Sequence, residues 1–174
     1  MVGSRMEATV YWISNFVNGG LGVMARPRGG DWLEDEIKSL KRSGVDTVVS
    51  LLEGCEVTEL GLSSEPALCR DNDLEYLSFP IADRHTPSSG ASAASLIRAV
   101  AQAVSAGKRV VIHCRNGIGR STMIGAAVLV ALGTTPESAF KLIAEARGRP
   151  VPDTEEQEGW VFKIAANLQA TPGA

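Results

Sequence analysis

The chemistry in this 174-residue sequence concentrates in Val110 to Thr122, "VVIHCRNGIGRST". An apolar run ends in a cysteine, and two glycines, two arginines and a serine follow before a second apolar stretch begins. Gly117 and Gly119 let the backbone turn so that successive amides point inward as an anion-binding nest. A helix starting at Arg120 adds its free N-terminal amides and the positive end of its dipole to the same spot. Arg120 can reach back as a planar fork onto two oxygens of a phosphate, which a lysine cannot do. Cys114 sits in that positive field, the setting in which a thiol becomes a nucleophile. Arg115, Asn116, Gly117, Ile118 and Gly119 are therefore expected to line a bound phosphate, with Arg115 and Asn116 shaping the rim.

Magnitudes decide which part matters. A free thiol is only a few per cent ionised at neutral pH, so complete ionisation gains roughly thirtyfold, about 2 kcal/mol. Any large acceleration must come from Arg120 and the loop amides holding transition-state charge, together with in-line positioning. Phosphoryl transfer also needs a proton for the departing oxygen. In "FPIADRHTP", Asp83 lies on a loop just beyond a predicted strand, from which a carboxyl can swing over a substrate. Taken alone, without the motif downstream, Asp83 reads better as a turn former.

The elements that must carry these residues follow from periodicity. "TVYWIS" and "LGVM" flank the turn-like Asn18 to Gly20 and predict a pair of strands. Asp31 and Glu34 stand at capping-box spacing ahead of Leu33, Ile37 and Leu40 on one helical face, which Gly44 ends. "TVVSLL" predicts a buried strand, two short helical turns span "CEVTELG" and "SSEPALCRDN", and "EYLSFPI" predicts the next strand. Leu96, Ile97, Val100 and Val104 mark a helix ending at Gly107. "RVVIHC" has the unbroken apolar character of a central strand covered on both faces. The helix from Arg120 to about Leu132 is apolar nearly all round and is expected to be buried. Thr135 and Pro136 start another helix that ends near Gly148. Asp153 and Glu156 repeat the capping-box spacing before a last helix. Strands alternating with helices predict an α/β three-layer sandwich around a mainly parallel sheet.

The chain reads as a single domain over 1–174, with 1–8 a tag or disordered lead and 170–174 a frayed tail. A composition of 44% hydrophobic and 21% charged residues is that of a globular protein. The formal net charge of −3 argues against broad nucleic-acid binding, so any anion must be caught locally. Three cysteines without framework spacing, and no apolar run long enough for a membrane span, predict a soluble cytoplasmic protein. No metal-ligand spacing occurs, and no metal or other cofactor is expected. Cys55 and Cys69 read as small buried hydrophobes, and Trp12, Trp32 and Trp160 as core or packing residues rather than a substrate wall. Arg26, Arg28, Arg84 and His85 read as solvated loop residues.

The string from His113-Cys114 through Arg120-Ser121 resembles the signature of cysteine-dependent protein tyrosine phosphatases. "PIADRHTP" is similar to the general-acid loop of the kinase-associated phosphatase branch of the small dual-specificity group. The resemblance runs from about Asp31 to about Leu168 and implies a protein tyrosine phosphatase-like fold. It further implies a phosphocysteine on Cys114, phosphate binding by Arg120, and Asp83 acting as acid and then as base. Ser121 would assist departure of the sulfur, and His113 would support the cysteine. Gln157 matches the second glutamine of that family's "QTxxQ" stretch and would orient the hydrolytic water. Asp153 stands where the first glutamine would be. The implied partner is a phosphoprotein carrying phosphotyrosine, with phosphoserine or phosphothreonine also accepted. Rival readings are a phosphoinositide or inositol phosphate phosphatase, a non-catalytic phosphate-binding module, and a sulfur transferase or arsenate reductase.

Overall fold

The computed structural model describes residues 7–13 and 16–169, so the expectations for a lead before residue 7 and for the tail at 170–174 lie outside the described residues. Among the described residues the strands are β1 (Tyr11–Trp12), β2 (Gly20–Ala25), β3 (Thr47–Ser50), β4 (Glu75–Ser78) and β5 (Arg109–Cys114). The helices are α1 (Leu33–Arg42), α2 (Gly54–Glu59), α3 (Glu65–Asp71), α4 (Gly90–Ser105), α5 (Arg120–Ala131), α6 (Pro136–Arg147) and α7 (Glu155–Gln169). The strands form one sheet in the order β1-β2-β5-β3-β4. Only β1 runs antiparallel to its neighbour, so the sheet is mainly parallel, as expected.

Both faces of the sheet are covered. Val110, Ile112 and Cys114 of β5 join the apolar layer built by α4, α5, α6 and α7, while Val111 joins the layer built by α1, α2 and α3. The two-residue period of a strand thus sends Cys114 and its neighbour His113 to opposite layers. Helix α5 is buried from Arg120 to Val130, which matches its apolar circumference. Because β5 lies between β2 and β3, the carboxyl ends of β2, β5, β3 and β4 open on one edge, where parallel α/β sheets build their sites.

Two capping expectations are corrected. Asp31 and Glu34 form no box: a 3₁₀ turn occupies Gly30–Trp32 and α1 begins at Leu33 with no side-chain cap. At the last helix the box is shifted by one residue. Thr154 Oγ1 accepts from the Gln157 amide and Gln157 Oε1 accepts from the Thr154 amide, both at 3.2 Å. The spacing is i to i+3 in either register, so sequence alone does not separate Asp153/Glu156 from Thr154/Gln157. Two burial expectations also change. Cys55 is exposed at the start of α2, and Trp32 is 58% exposed with the Arg28 guanidinium 4.7 Å above its ring.

Candidate active site

Five consecutive carbonyls of the loop after β5 have partners. The Arg115 carbonyl accepts from the Arg26 amide at 3.3 Å, and the Gly119 carbonyl accepts from the Met123 amide at 3.0 Å. Arg147, in the last turn of α6, donates from Nη2 to the Asn116 carbonyl at 3.2 Å and from Nε to the Gly117 carbonyl at 2.9 Å. The Ile118 carbonyl accepts a short bond from the Thr122 hydroxyl. In a trans peptide the C=O and the following N–H point in opposite directions. Fixing these carbonyls therefore turns the amides of Asn116 to Arg120 away from those partners, the orientation an anion nest requires. Gly117 makes this path possible. Its φ is +67°, and a Cβ there would lie 2.6–2.8 Å from the backbone of Met24 and Ala25.

Cys114 is buried at the end of β5, and its thiol donates to Ser121 Oγ at 3.2 Å. With the sulfur ionised, the same hydroxyl would donate to it. His113 faces the other layer, where its Nε2 lies 2.8 Å from Oε1 of the fully buried Glu65, while Nδ1 lies 3.4 Å from the Cys114 carbonyl.

Arg120 is 1% exposed and multiply held. Its Nη1 donates to Glu56 Oε2 and to the Ile81 carbonyl, and its Nη2 to Glu56 Oε1, each at 2.8 Å. A guanidinium has five N–H donors, so the Nε–Nη2 edge remains as a second fork. Asp83 Oδ1 stands 3.2 Å from Nη2. Burial by itself would lower the Arg120 pKa, but the Glu56 carboxylate, with Cys114 and Asp83 nearby, raises it and keeps the cation. The hydrogen bond from Arg120 outweighs burial at Glu56 and lowers that carboxyl below its ordinary value.

Arg115, at the rim, places Nη2 3.3 Å from Glu59 Oε1 and Nη1 3.8 Å from Glu56 Oε1. Asn116 is exposed. Gln157 is fully buried beside the loop: a Cβ on Gly119 would meet its Oε1 at 3.0 Å. Both ends of its amide are engaged, Oε1 by the Asp153 and Thr154 amides and Nε2 by the His85 carbonyl, all at 3.2 Å. Every residue expected at the site thus gathers at one edge of the sheet. Three residues with no role in the sequence reading join them: Glu56, Glu65 and Arg147. Glu56 follows β3 and Arg147 closes α6, so neither has a sequence signal beyond an ordinary helix charge.

The molecule is similar to known proteins in the same terms. The family described as the DSP-PTPase phosphatase of polymorphic toxin systems matches residues 21–134. Cyclin-dependent kinase inhibitor 3 of Rattus norvegicus is 24% identical over 140 residues, covering 79% of this chain and 66% of its own. The human protein of that name is 24% identical over 144 residues, covering 79% of this chain and 68% of its own. This chain thus spans about two thirds of the length of these relatives. The structure of kinase-associated phosphatase with serine in place of its catalytic cysteine superposes with a TM-score of 0.82 at 21% identity, covering 95% of this chain and 98% of that one. Tk-PTP in its active form gives 0.72 at 27% identity, covering 91% and 96%. Since the family match spans residues 21–134, more than half of the chain, this chain belongs to the polymorphic toxin system DSP-PTPase family, a small dual-specificity phosphatase fold near the kinase-associated phosphatase branch.

Proposed function

We propose that this protein is a phosphoprotein phosphatase that hydrolyses phosphotyrosine, and also phosphoserine and phosphothreonine, through a phosphocysteine. The observation that carries this reading is the loop itself, in which five successive carbonyls are held so that their amides turn the other way, between a buried Cys114 and a buried Arg120. The phosphate takes the Nε–Nη2 edge of Arg120 and the loop amides, a preorganised set of donors for charge on the equatorial oxygens. The Cys114 sulfur attacks phosphorus as the bond to the leaving oxygen breaks, and Asp83 gives that oxygen its proton. Water then attacks phosphorus, its proton passes to the Asp83 carboxylate, and the P–S bonding pair returns to sulfur, steadied by the Ser121 hydroxyl. His113, held by Glu65, supports the peptide at Cys114.

A polyphosphorylated lipid or inositol ligand would need unclaimed cations around the central phosphate. Arg115 is paired with Glu59, and Arg84 with Asp153 at 2.9 Å, which favours a monoester on a protein. The requirement for a free thiol also favours a reducing compartment such as the cytoplasm.

The test is turnover of aryl phosphate and of a phosphopeptide panel beside phosphoinositides. Wild type is expected to turn over the peptides and Cys114→Ser to be inert. Asp83→Ala, which spares binding, is expected to trap phosphoproteins from extract. Faster turnover of phosphoinositides, or activity surviving in Cys114→Ser, would overturn the reading.

A further inference from the structure

We propose that Arg84 and Asp153 form a latch that sets the position of the Asp83 loop over the phosphate loop, with Gln157 as its buried anchor. The inference rests on Asp83 being the acid, and it assigns positioning roles to residues that do not touch the reacting atoms.

The loop that carries Asp83 is a tight turn, closed by the His85 amide donating to the Ala82 carbonyl at 3.0 Å. Arg84 occupies its second central position with φ +62°, a left-handed conformation for which glycine or asparagine is the ordinary choice. A long, charged side chain kept in a strained position points to a role for that side chain. Arg84 Nη1 donates to Asp153 Oδ2 at 2.9 Å. One residue on, the His85 carbonyl accepts from Gln157 Nε2, and Gln157 in turn is locked by the Asp153 and Thr154 amides.

The cap of α7 therefore grips the acid turn at two adjacent residues. The same cap abuts the phosphate loop, since a Cβ on Gly119 would lie 3.0 Å from both Asp153 Cβ and Gln157 Oε1. One small block thus touches both loops and fixes their separation, and Asp83 Oδ1 is held 3.2 Å from Arg120 Nη2. Position 153, where the resembling family carries glutamine, supplies a charge for the latch. Gln157, with both amide ends engaged, serves as a strut between the two loops. The ion pair itself is solvent-exposed, so its effect is small and salt-sensitive.

The test compares Arg84→Gly, Asp153→Asn and the swap Arg84→Asp/Asp153→Arg in the full chain. Each is assayed on phenyl phosphate, a poor leaving group, and on a nitro-substituted phenyl phosphate, with Asp83→Asn as reference. Each single variant is expected to lose about fivefold in kcat on phenyl phosphate, the upper end for an exposed ion pair, and less than about twofold on the activated ester, with KM unchanged. The swap is expected to recover most of the loss, and molar salt to bring wild type down to the single variants. Arg84→Gly is the sharpest arm, because glycine relieves the backbone and a merely solvated Arg84 would make it neutral or faster. Equal losses on both esters, no loss on phenyl phosphate, or a swap no better than the singles would each overturn the latch. If Asp83→Asn discriminates between the esters and the latch variants do not, the latch alone falls. If Asp83→Asn fails to discriminate, the acid assignment falls and takes the latch with it.

Discussion

The phosphate loop and the acid loop face each other across a few ångströms and are built on opposite terms. From Arg115 to Gly119 every carbonyl is tied, Gly117 has no room for a side chain, and Arg120 is buried in a clamp of Glu56 and the Ile81 carbonyl. The turn that carries Asp83 is exposed, with the Asp83 side chain 58% accessible, and the cap of α7 touches it through one surface ion pair and one hydrogen bond from a buried amide. A cradle for transition-state charge gains from rigidity, because donors that need not reorganise stabilise charge best. The role proposed for Asp83, giving a proton and later taking one back, needs reach instead. Substitutions in the first loop should therefore act on every substrate, and substitutions in the second should act according to the leaving group.

The largest expected effect tests that contrast directly. Gly117→Ala forces a Cβ into the backbone of Met24 and Ala25 at a positive φ, so kcat should fall by at least about 10³-fold on activated and unactivated esters alike. Loss on one class only would break the comparison. Asp83→Asn should come next, costing roughly 10²-fold or more on poor leaving groups and much less on activated aryl esters.

Glu56→Gln probes the clamp. It leaves a buried guanidinium without the charged partner that holds both its Nη atoms and should cost about 3 kcal/mol, read as a lower midpoint in denaturant. The pH dependence follows in sign. The Glu56 carboxyl is lowered from 4.5 by its bond to Arg120, so the folded state favours the ionised form. Its contribution is complete above about 4.5, the unfolded value, and is lost as pH falls through the lower folded value. Thermal melts at pH values stepped down from about 4.5 should show a shallower decline in Glu56→Gln than in wild type. An unchanged slope would remove Glu56 as the acid-labile element.

Arg147→Met should have a smaller effect, because the loop keeps its other ties. We expect about a tenfold loss in kcat/KM, shared by all substrates, with weaker competition by inorganic phosphate. The stacking of Arg147 on Tyr11, 4.1 Å from the ring, is only partly kept by Met, so Arg147→Lys controls for packing and should recover part of the loss. A leaving-group-dependent loss would place Arg147 with the wrong loop.

Much of this was legible residue by residue. The run from Val110 to Cys114, the two glycines and the apolar helix after Arg120 define a strand, a nest and a buried helix by local rules of periodicity and backbone freedom. Capping was less legible, because Asp153/Glu156 and Thr154/Gln157 share one spacing and only packing against Gly119 and His85 selects between them. Burial of single residues failed where a surface position replaced a core one, as at Cys55, or where a cation covered an aromatic ring, as at Trp32.

By itself the sequence determined the central strand, the turn after it and the buried helix that follows, because each depends on neighbours a few positions away. The tertiary structure alone decided who holds them. Glu56 reaches Arg120 across 64 positions, Glu65 reaches His113 across 48, Arg147 reaches Gly117 across 30, and Arg84 reaches Asp153 across 69. Such partners meet because parallel strands bring their carboxyl ends to one edge of the sheet, and no local pattern in the chain records which charges that edge will pair.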